Sequence, residues 1–252
     1  MGKTRNIWIV VVMVLFVCAA VGPAAADTFL KYKRHTDAFK VMGQSQPEKN
    51  EETFTWLAPG KVRMDMADQK SSIVLLDKKV MVLLDHANKT YTEMPLDLDK
   101  ILDQTVGQES GSAEGNAMAK KMMGLAKSMM KFKITVTETG ETKTIGNWNA
   151  RKYILNMDMT MGSSTSEIWA SQDIKIDPML YYSAANAAMA AMGDMQEMMK
   201  EIQKIKGISV LNVSKAKVMG TEVTTSEELL EAGEGNPPAG TYDIPAGYKK
   251  TK

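Results

Sequence analysis

Residues 53–66 read TFTWLAPGKVRMDM, and this stretch decides the fold class. Apolar and polar side chains alternate on both sides of Ala58-Pro59-Gly60, a combination typical of a turn. Alternation with a period of two residues is the pattern of a half-buried strand. The stretch therefore predicts two antiparallel strands, 53–57 and 61–66, joined as a hairpin.

The same alternation continues outward from the hairpin. Strands are predicted over 72–76, 80–84 and 90–94, which completes a meander. Further strand-like segments occupy 134–138, 148–159, 164–170, 208–213 and 217–225. Together the segments predict one antiparallel sheet of about eleven strands, and an open sheet of that size tends to curl.

Two segments have the periodicity of helices instead. The first helix is predicted over 116–132, with Asn116 as its N-cap. Its apolar stripe consists of Met118, Met122, Leu125 and Met129. The second is predicted over 178–206, between the capping residue Asp177 and Gly207. The predicted class is therefore α+β, a strongly curved antiparallel sheet whose apolar face is covered by two lid helices.

Residues 1–26 have the three parts of a secretory signal peptide. A basic start precedes an apolar run over 7–21, and Ala24-Ala25-Ala26 matches a cleavage site of the A-x-A type. The run is shorter than the roughly 20 apolar residues of a membrane-spanning helix. We expect cleavage after Ala26, export to the periplasm and a single mature domain over 27–252.

The composition narrows the function classes. The single cysteine, Cys18, lies inside the leader, so the mature chain has neither a disulfide nor a thiolate site. Removing Lys3 and Arg5 lowers the 31 basic residues to 29 against 30 acidic ones, a net charge of −1 that does not favour nucleic acid. Methionine is unusually frequent, with 22 in 252 residues. Its flexible thioether suits surfaces that adapt to irregular apolar partners.

Recognised catalytic motifs are missing from the sequence. It has no G-x-S-x-G, no H-E-x-x-H, no phosphate-binding loop and no G-x-G-x-x-G. The only imidazoles are His35 and His86, and His86 stands in a predicted turn over 85–89, where we expect a solvent-exposed side chain. The sequence therefore favours a non-catalytic protein without a cofactor.

Methionines at alternate strand positions allow two interpretations. Met157, Met159 and Met161 share one face of a predicted strand, as do Met64 and Met66. Thioether sulfurs are soft ligands that select Cu(I), so a methionine-based copper site is one interpretation. The other is that these residues are inward-facing core residues, because soft-metal sites usually add Cys or His and neither lies close in sequence.

The first predicted helix also carries a basic face. Its lysines are Lys120, Lys121, Lys127 and Lys131. A basic face opposite a Met/Leu face is what an interfacial helix presents to anionic lipid, which predicts transient contact with an anionic membrane. The alternative is a lid that packs on its own sheet with the lysines in solvent, and the two are compatible if the lid opens.

Several strand and turn patterns resemble the bacterial lipoprotein-carrier superfamily, typified by the LolA-type periplasmic carriers, and within it an uncharacterised family of secreted proteins. The resembling segments are 56–66 (WLAPGKVRMDM), 73–95 (IVLLDKKVMVLLDHANKTYTEMP), 148–153 (WNARKY), 167–169 (EIW) and 242–249. They extend over nearly the whole mature chain and are structural patterns rather than a catalytic signature.

The resemblance implies a half-open barrel whose concave apolar face accepts the acyl chains of a lipid or lipoprotein. The helix stripes then predict a cavity lined by Met122, Leu125, Met129, Met192, Met195 and Met199. The arginine with which such a carrier releases its cargo has two candidates, Arg63 and Arg151, and a solvent-facing Arg63 is the alternative. The predicted function is a periplasmic carrier or sensor of a long apolar ligand. The alternatives are a Cu(I)-binding periplasmic protein and a non-catalytic envelope domain that binds a partner.

Overall fold

The protein is seen here in a computed structural model. The structure describes residues 26–41, 43–96, 132–159, 162–176, 195–218 and 220–251. The strands are β1 (Asp27–Thr36), β2 (Phe39–Val41), β3 (Gln44–Gln46), β4 (Lys49–Ala58), β5 (Lys61–Met66), β6 (Lys70–Leu75), β7 (Val80–Asp85), β8 (Thr90–Pro95), β9 (Phe132–Ile145), β10 (Trp148–Met159), β11 (Gly162–Ser171), β12 (Ile208–Val218), β13 (Thr221–Gly235) and β14 (Lys249–Lys250). Helix α1 is Met195–Ile202.

Twelve of these strands form one sheet, in the order β14-β8-β7-β6-β5-β4-β1-β13-β12-β11-β10-β9. Two antiparallel meanders, β4 to β8 and β9 to β13, meet on either side of the N-terminal strand β1. On one edge Thr28 of β1 pairs with Leu57, and on the other Asp27 pairs with Gly235. Strand β14 adds to β8 in parallel, and β2 and β3 form a separate small hairpin. Strand β1 therefore joins the two halves of the sheet.

The hairpin predicted at 53–66 is confirmed. Strand β4 ends at Ala58 and β5 begins at Lys61, with Leu57 paired to Val62 across the turn. Gly60 has a φ of 73°, a left-handed conformation that glycine adopts without steric cost. By contrast, the single strand predicted over 217–225 is wrong, because a turn with Gly220 at a φ of 83° separates β12 from β13.

The predicted α+β class is wrong for the part of the chain that the structure describes. That part is almost entirely β-sheet, with twelve strands in one sheet rather than about eleven, and α1 is its one helix. Of the lid helix predicted over 116–132, only Phe132 falls within the described residues, and it begins β9. Of the helix predicted over 178–206, residues 178–194 are outside the description and α1 ends at Ile202.

Both helix and strand boundaries have local physical reasons. After α1 the amide of Ile205 bonds to the carbonyl of Ile202, a tighter i to i+3 turn that replaces the last predicted helical turn. Strand β9 continues past the predicted end at 138, because a bulge opposite Arg151 and Tyr153 accommodates Gly140 at a φ of 80°. Strand β9 is therefore longer than the local pattern predicts, and the helix ends at Ile202 rather than at 206.

Within the described ranges, the buried apolar residues form three clusters. The largest contains Leu30 and Tyr32 of β1 together with Leu57, Val62 and Val74. A second lies between α1 and β9 to β11 and contains Met198, Ile134, Val136, Tyr153 and Ile168. A third contains Ile73, Val82 and Leu84, packed by Tyr242, Ile244 and Tyr248 of the C-terminal segment. Among the described residues no helix is both long enough and apolar enough to cross a membrane.

Candidate ligand-binding face

Met64, Met66, Met81 and Met94 lie on one face of the sheet. Val62 pairs with Val74, Val74 with Met81, and Met81 with Met94. Directly opposed residues point to the same side of a sheet, and so do residues two apart on one strand. The four methionines therefore share the face that carries the core residues Leu57 and Val62.

Met157, in the other half of the sheet, lies on the same face. Met64 pairs with Thr55, Thr55 with Leu30, and Leu30 with Ala232. Beyond the bulge in β13, pairing runs from Glu227 to Asn212, Ile168 and Tyr153, and Met157 is four residues from Tyr153. We call this side of the sheet the methionine face, defined by Met64, Met66, Met81, Met94 and Met157.

Exposure varies widely along the methionine face. Met64 is 37% exposed and Met66 is 36% exposed, whereas Met81, Met94 and Met157 are partly buried. The hydroxyl residues Thr55 and Ser72 flank Met64 on the neighbouring strands. The face thus presents adaptable thioethers to solvent beside a few short polar groups, a composition common in binding sites for apolar molecules.

Helix α1 covers the methionine face at the β9 edge. Met198, 2% exposed, packs with Ile205 against Ile134, Val136 and Tyr153, while Ile202 and Met157 are partly buried beside them. The hydroxyl of Tyr153 is buried and has no hydrogen-bond partner within the described part of the chain. Apolar packing therefore holds α1 against the sheet.

One carboxylate fixes α1 to the edge strand. Glu201 accepts a hydrogen bond of 2.7 Å from the amide of Val136 and one of 2.5 Å from Lys204. The Lys204 ammonium, followed by the Val136 amide, lowers the pKa of Glu201 below its usual value. Since Val136 belongs to the edge strand β9, Glu201 satisfies an amide that would otherwise be open to another strand.

The predicted cavity residues are only partly placed by the structure. Met199 is partly buried on α1, and Met195 begins that helix. The remaining predicted positions lie outside the described residues: Met122, Leu125, Met129, Met192 and the helix lysines Lys120, Lys121, Lys127 and Lys131. Met157 packs into the cluster around Met198. The copper interpretation also depends on Met161 and the side chain of Met159, which are not described, so it stays a prediction.

A polar network on the opposite face was missed from the sequence. The expectation that His86 is exposed to solvent is wrong, because its Nε2 lies 2.6 Å from Ser71 Oγ and its Nδ1 lies 2.7 Å from the Tyr248 hydroxyl. A solvent-facing Arg63 is wrong too, since its side chain is 16% exposed and donates to Asp65, to Ser71 and to the carbonyl of Thr241. Arg151, by contrast, is exposed and pairs with Glu138.

Proton positions in this network follow from its chemistry. Ser71 Oγ lies 2.6 Å from Asp65 Oδ1, and a carboxylate accepts only, so the serine donates to it. His86 must then donate to Ser71 from Nε2, and its Nδ1 accepts the Tyr248 proton. Because a general base would need a free lone pair on Nε2, His86 does not activate Ser71 as a nucleophile. Ser71 is 2% exposed, which agrees with a structural role.

The network holds down the C-terminal segment, residues 236–251, which we call the strap. Tyr242 donates a 2.7 Å hydrogen bond to Asp27 at the start of β1, and burial followed by this carboxylate raises its pKa. A cleft of about 630 Å³ lies at this point, lined by Asp27, Lys61 and strap residues. No local sequence pattern could reveal these contacts, because the partners are far apart along the chain.

Within the described ranges, no group of three or more His, Cys, Asp or Glu side chains is placed to hold a metal ion. A second cleft, of about 360 Å³, lies beside the bulge in β9. It is lined by Thr142, Lys143, Thr144, Asn149, Ala150, Arg151, Ala170, Gln172 and Asp173. Asp173 is already engaged there by the amide of Asn149 at 2.8 Å.

Comparison with known proteins finds a family and several similar solved structures. The model of a domain of unknown function, DUF4412, matches residues 40–248. A crystal structure of a DUF1329 family protein from Desulfovibrio piger is similar at 8% identity over 86% of this chain and 88% of that chain, with a TM-score of 0.29. So low a TM-score supports no conclusion. No curated protein matches the chain.

Proposed function

We propose that this chain, which belongs to the DUF4412 family of unknown function, binds a lipid or another long apolar molecule non-covalently on its methionine face. The protein would act as a carrier or sensor in the periplasm. The observation that carries the proposal is the exposure of Met64 and Met66 on the same face as an apolar row that crosses five strands.

That row consists of Leu57, Val62, Val74, Met81 and Met94, one residue from each strand from β4 to β8. Neighbouring strands are about 4.8 Å apart, so the row extends roughly 19 Å. Leu57, Val62 and Val74 are already buried in the core, so a ligand would cover the exposed Met64 and Met66 and the partly buried Met81 and Met94. Burial of apolar surface is the main driving force of such binding. Thioethers adjust their shape to chains of different length.

Two further observations support binding outside the cytoplasm rather than catalysis. The first described strand begins at Asp27, directly after the predicted cleavage site, so removing residues 1–26 leaves all the described strands intact. The Ser71–His86 pair, which is the described arrangement closest to a catalytic one, donates its protons toward Asp65 and lacks a base. The sequence resemblance to lipoprotein carriers agrees with the same kind of ligand.

Displacement of a fluorescent fatty acid from the mature chain, residues 27–252, tests the proposal. We expect saturable one-to-one binding, confirmed by native mass spectrometry. Met64→Glu combined with Met66→Glu should weaken it at least about tenfold, because a charge beside the apolar chain costs more than about 1.4 kcal/mol. Both side chains are exposed, so the variant should keep its fold.

Thr135→Glu is the matched control, since Thr135 is exposed on β9 and alternates with the buried Ile134 and Val136. It adds a charge to the opposite face and should leave binding unchanged. The proposal fails if the unaltered protein binds no fatty acid, or if the methionine variant binds as tightly as the control.

A further inference from the structure

We infer that Met64 and Met66 form an oxidative modification site, and that their conversion to sulfoxides releases the apolar ligand. The inference rests on the proposed function for its second half only. Its structural basis is the gradient of exposure among the described methionines, from 37% and 36% at Met64 and Met66 to 2% at Met198.

The reaction requires a two-electron oxidant of the peroxide class. The thioether sulfur attacks the peroxide, the O–O bond breaks, an S–O bond forms and the second oxygen leaves as water with both peroxide protons. Sulfur loses two electrons and the peroxide gains them. The product is a polar sulfoxide, and reductases reverse the change. The reaction therefore needs access to sulfur but no catalytic group from the protein.

The position of the two residues confines the effect of their oxidation to the methionine face. Met64 and Met66 are two apart on β5, so both sulfur atoms belong to the methionine face. Strand β5 is paired on both sides, with β4 and β6. Between the two methionines, Asp65 is held on the opposite face by Arg63 and Ser71. Two sulfoxides would therefore add polar S–O groups to the ligand face while the strand keeps its place.

Met64 also stands beside the proposed ligand row. It is two residues from Val62 on β5, and its cross-strand neighbours Thr55 and Ser72 are short side chains that do not cover it. Oxidation converts an apolar, flexible side chain into a polar one. Apolar surface beside the row is lost, so the affinity for an apolar chain falls.

The test is a hydrogen peroxide titration of the folded mature chain, followed by peptide mapping of each methionine and by fatty-acid displacement. We expect Met64 and Met66 to oxidise at least about tenfold faster than Met198, because oxidation rate follows accessibility. Fatty-acid affinity should fall about tenfold in step with these two sulfoxides, and a sulfoxide reductase should restore it.

The matched variant is Met64→Leu combined with Met66→Leu. Leucine keeps most of the apolar volume but has no sulfur to oxidise, so the fatty-acid affinity of this variant, compared with its own untreated sample, should not change with peroxide. Oxidation of Met198 as fast as Met64, or an equal loss of affinity in the leucine variant, overturns the inference. If the untreated protein binds no fatty acid, the proposed function and the release step both fail, and the peptide map alone decides whether the modification site exists.

Discussion

The Nδ1 atom of His86 lies 2.7 Å from the hydroxyl of Tyr248, a residue 162 positions further along the chain. This contact joins the turn after β7 to the last segment of the protein. Around it the strap covers Ile73, Val82 and Leu84 with Tyr242, Ile244 and Tyr248. The opposite face of the first meander is therefore buried by the C-terminus rather than by a helix.

Tyr248→Phe should destabilise the protein by about 1 kcal/mol, because it leaves His86 Nδ1 without its donor beneath the strap. Urea denaturation of the mature chain measures the change in free energy of unfolding. Tyr91→Phe is the matched control, since Tyr91 packs in the same cluster and its replacement leaves the His86 bond intact. Equal effects of the two variants would show that the His86–Tyr248 bond contributes nothing specific.

Arg63→Met should cost about 2 kcal/mol, since it leaves Asp65 and the carbonyl of Thr241 without a charged donor in a partly buried site. Arg63→Lys should recover only part of this, because an ammonium cannot reproduce the guanidinium fork. The control is Arg151→Met, which removes an exposed ion pair with Glu138 worth under about 1 kcal/mol. A larger loss of thermal stability in Arg151→Met than in Arg63→Met would contradict this prediction.

Docking of α1 should weaken in acid. The pKa of Glu201 is lowered in the folded state from its ordinary value of 4.5, so its contribution is complete above that value and is lost as pH falls through the folded pKa. Hydrogen exchange at the Val136 amide, which Glu201 binds, should therefore accelerate below about pH 4.5 relative to the intrinsic rate. Glu201→Gln should remove this acceleration. If it persists in the variant, another titrating group causes it.

Gly233→Ala should destabilise the sheet by about 1 kcal/mol, because a Cβ at this position would lie 3.0 Å from the ring carbons of Phe29. That ring stacks on Phe54 at a centroid distance of 5.6 Å, which restricts its movement. Gly235→Ala is the control on the same strand, where the added Cβ would meet Trp56 at an ordinary 3.6 Å. Urea denaturation should find Gly235→Ala neutral or slightly stabilising, since alanine lowers the entropy of the unfolded chain.

Local pattern predicted the meanders well because each hairpin is specified by adjacent residues. Alternation brings Leu57 opposite Val62, and Gly60 supplies the turn between them. The same reasoning ends a strand at 138, whereas β9 continues through a bulge that contains Gly140. It also failed at 217–225, where the alternation continues through a turn. The two-residue alternation of side chains does not by itself distinguish a turn from a bulge.

The spacing of Met64 and Met66 predicts the part of the methionine face that lies on β5. That Met157 shares this face could not be predicted, because it depends on pairings across β1 and on the bulge in β13. The surroundings of Arg63 and His86 are likewise set by Thr241 and Tyr248 of the strap. Such long-range contacts produce no periodic pattern in the sequence.

The central position of β1 makes the order of synthesis matter for folding. Its Arg34 bonds to Glu227 of β13, 193 residues later, so the two halves of the sheet join only when nearly the whole chain is available. Pairings of such high sequence separation form slowly, because loop-closure entropy is lost before the contacts repay it. A chain that is predicted to be exported benefits from this delay, because its sheet does not close before its last strands have crossed the membrane.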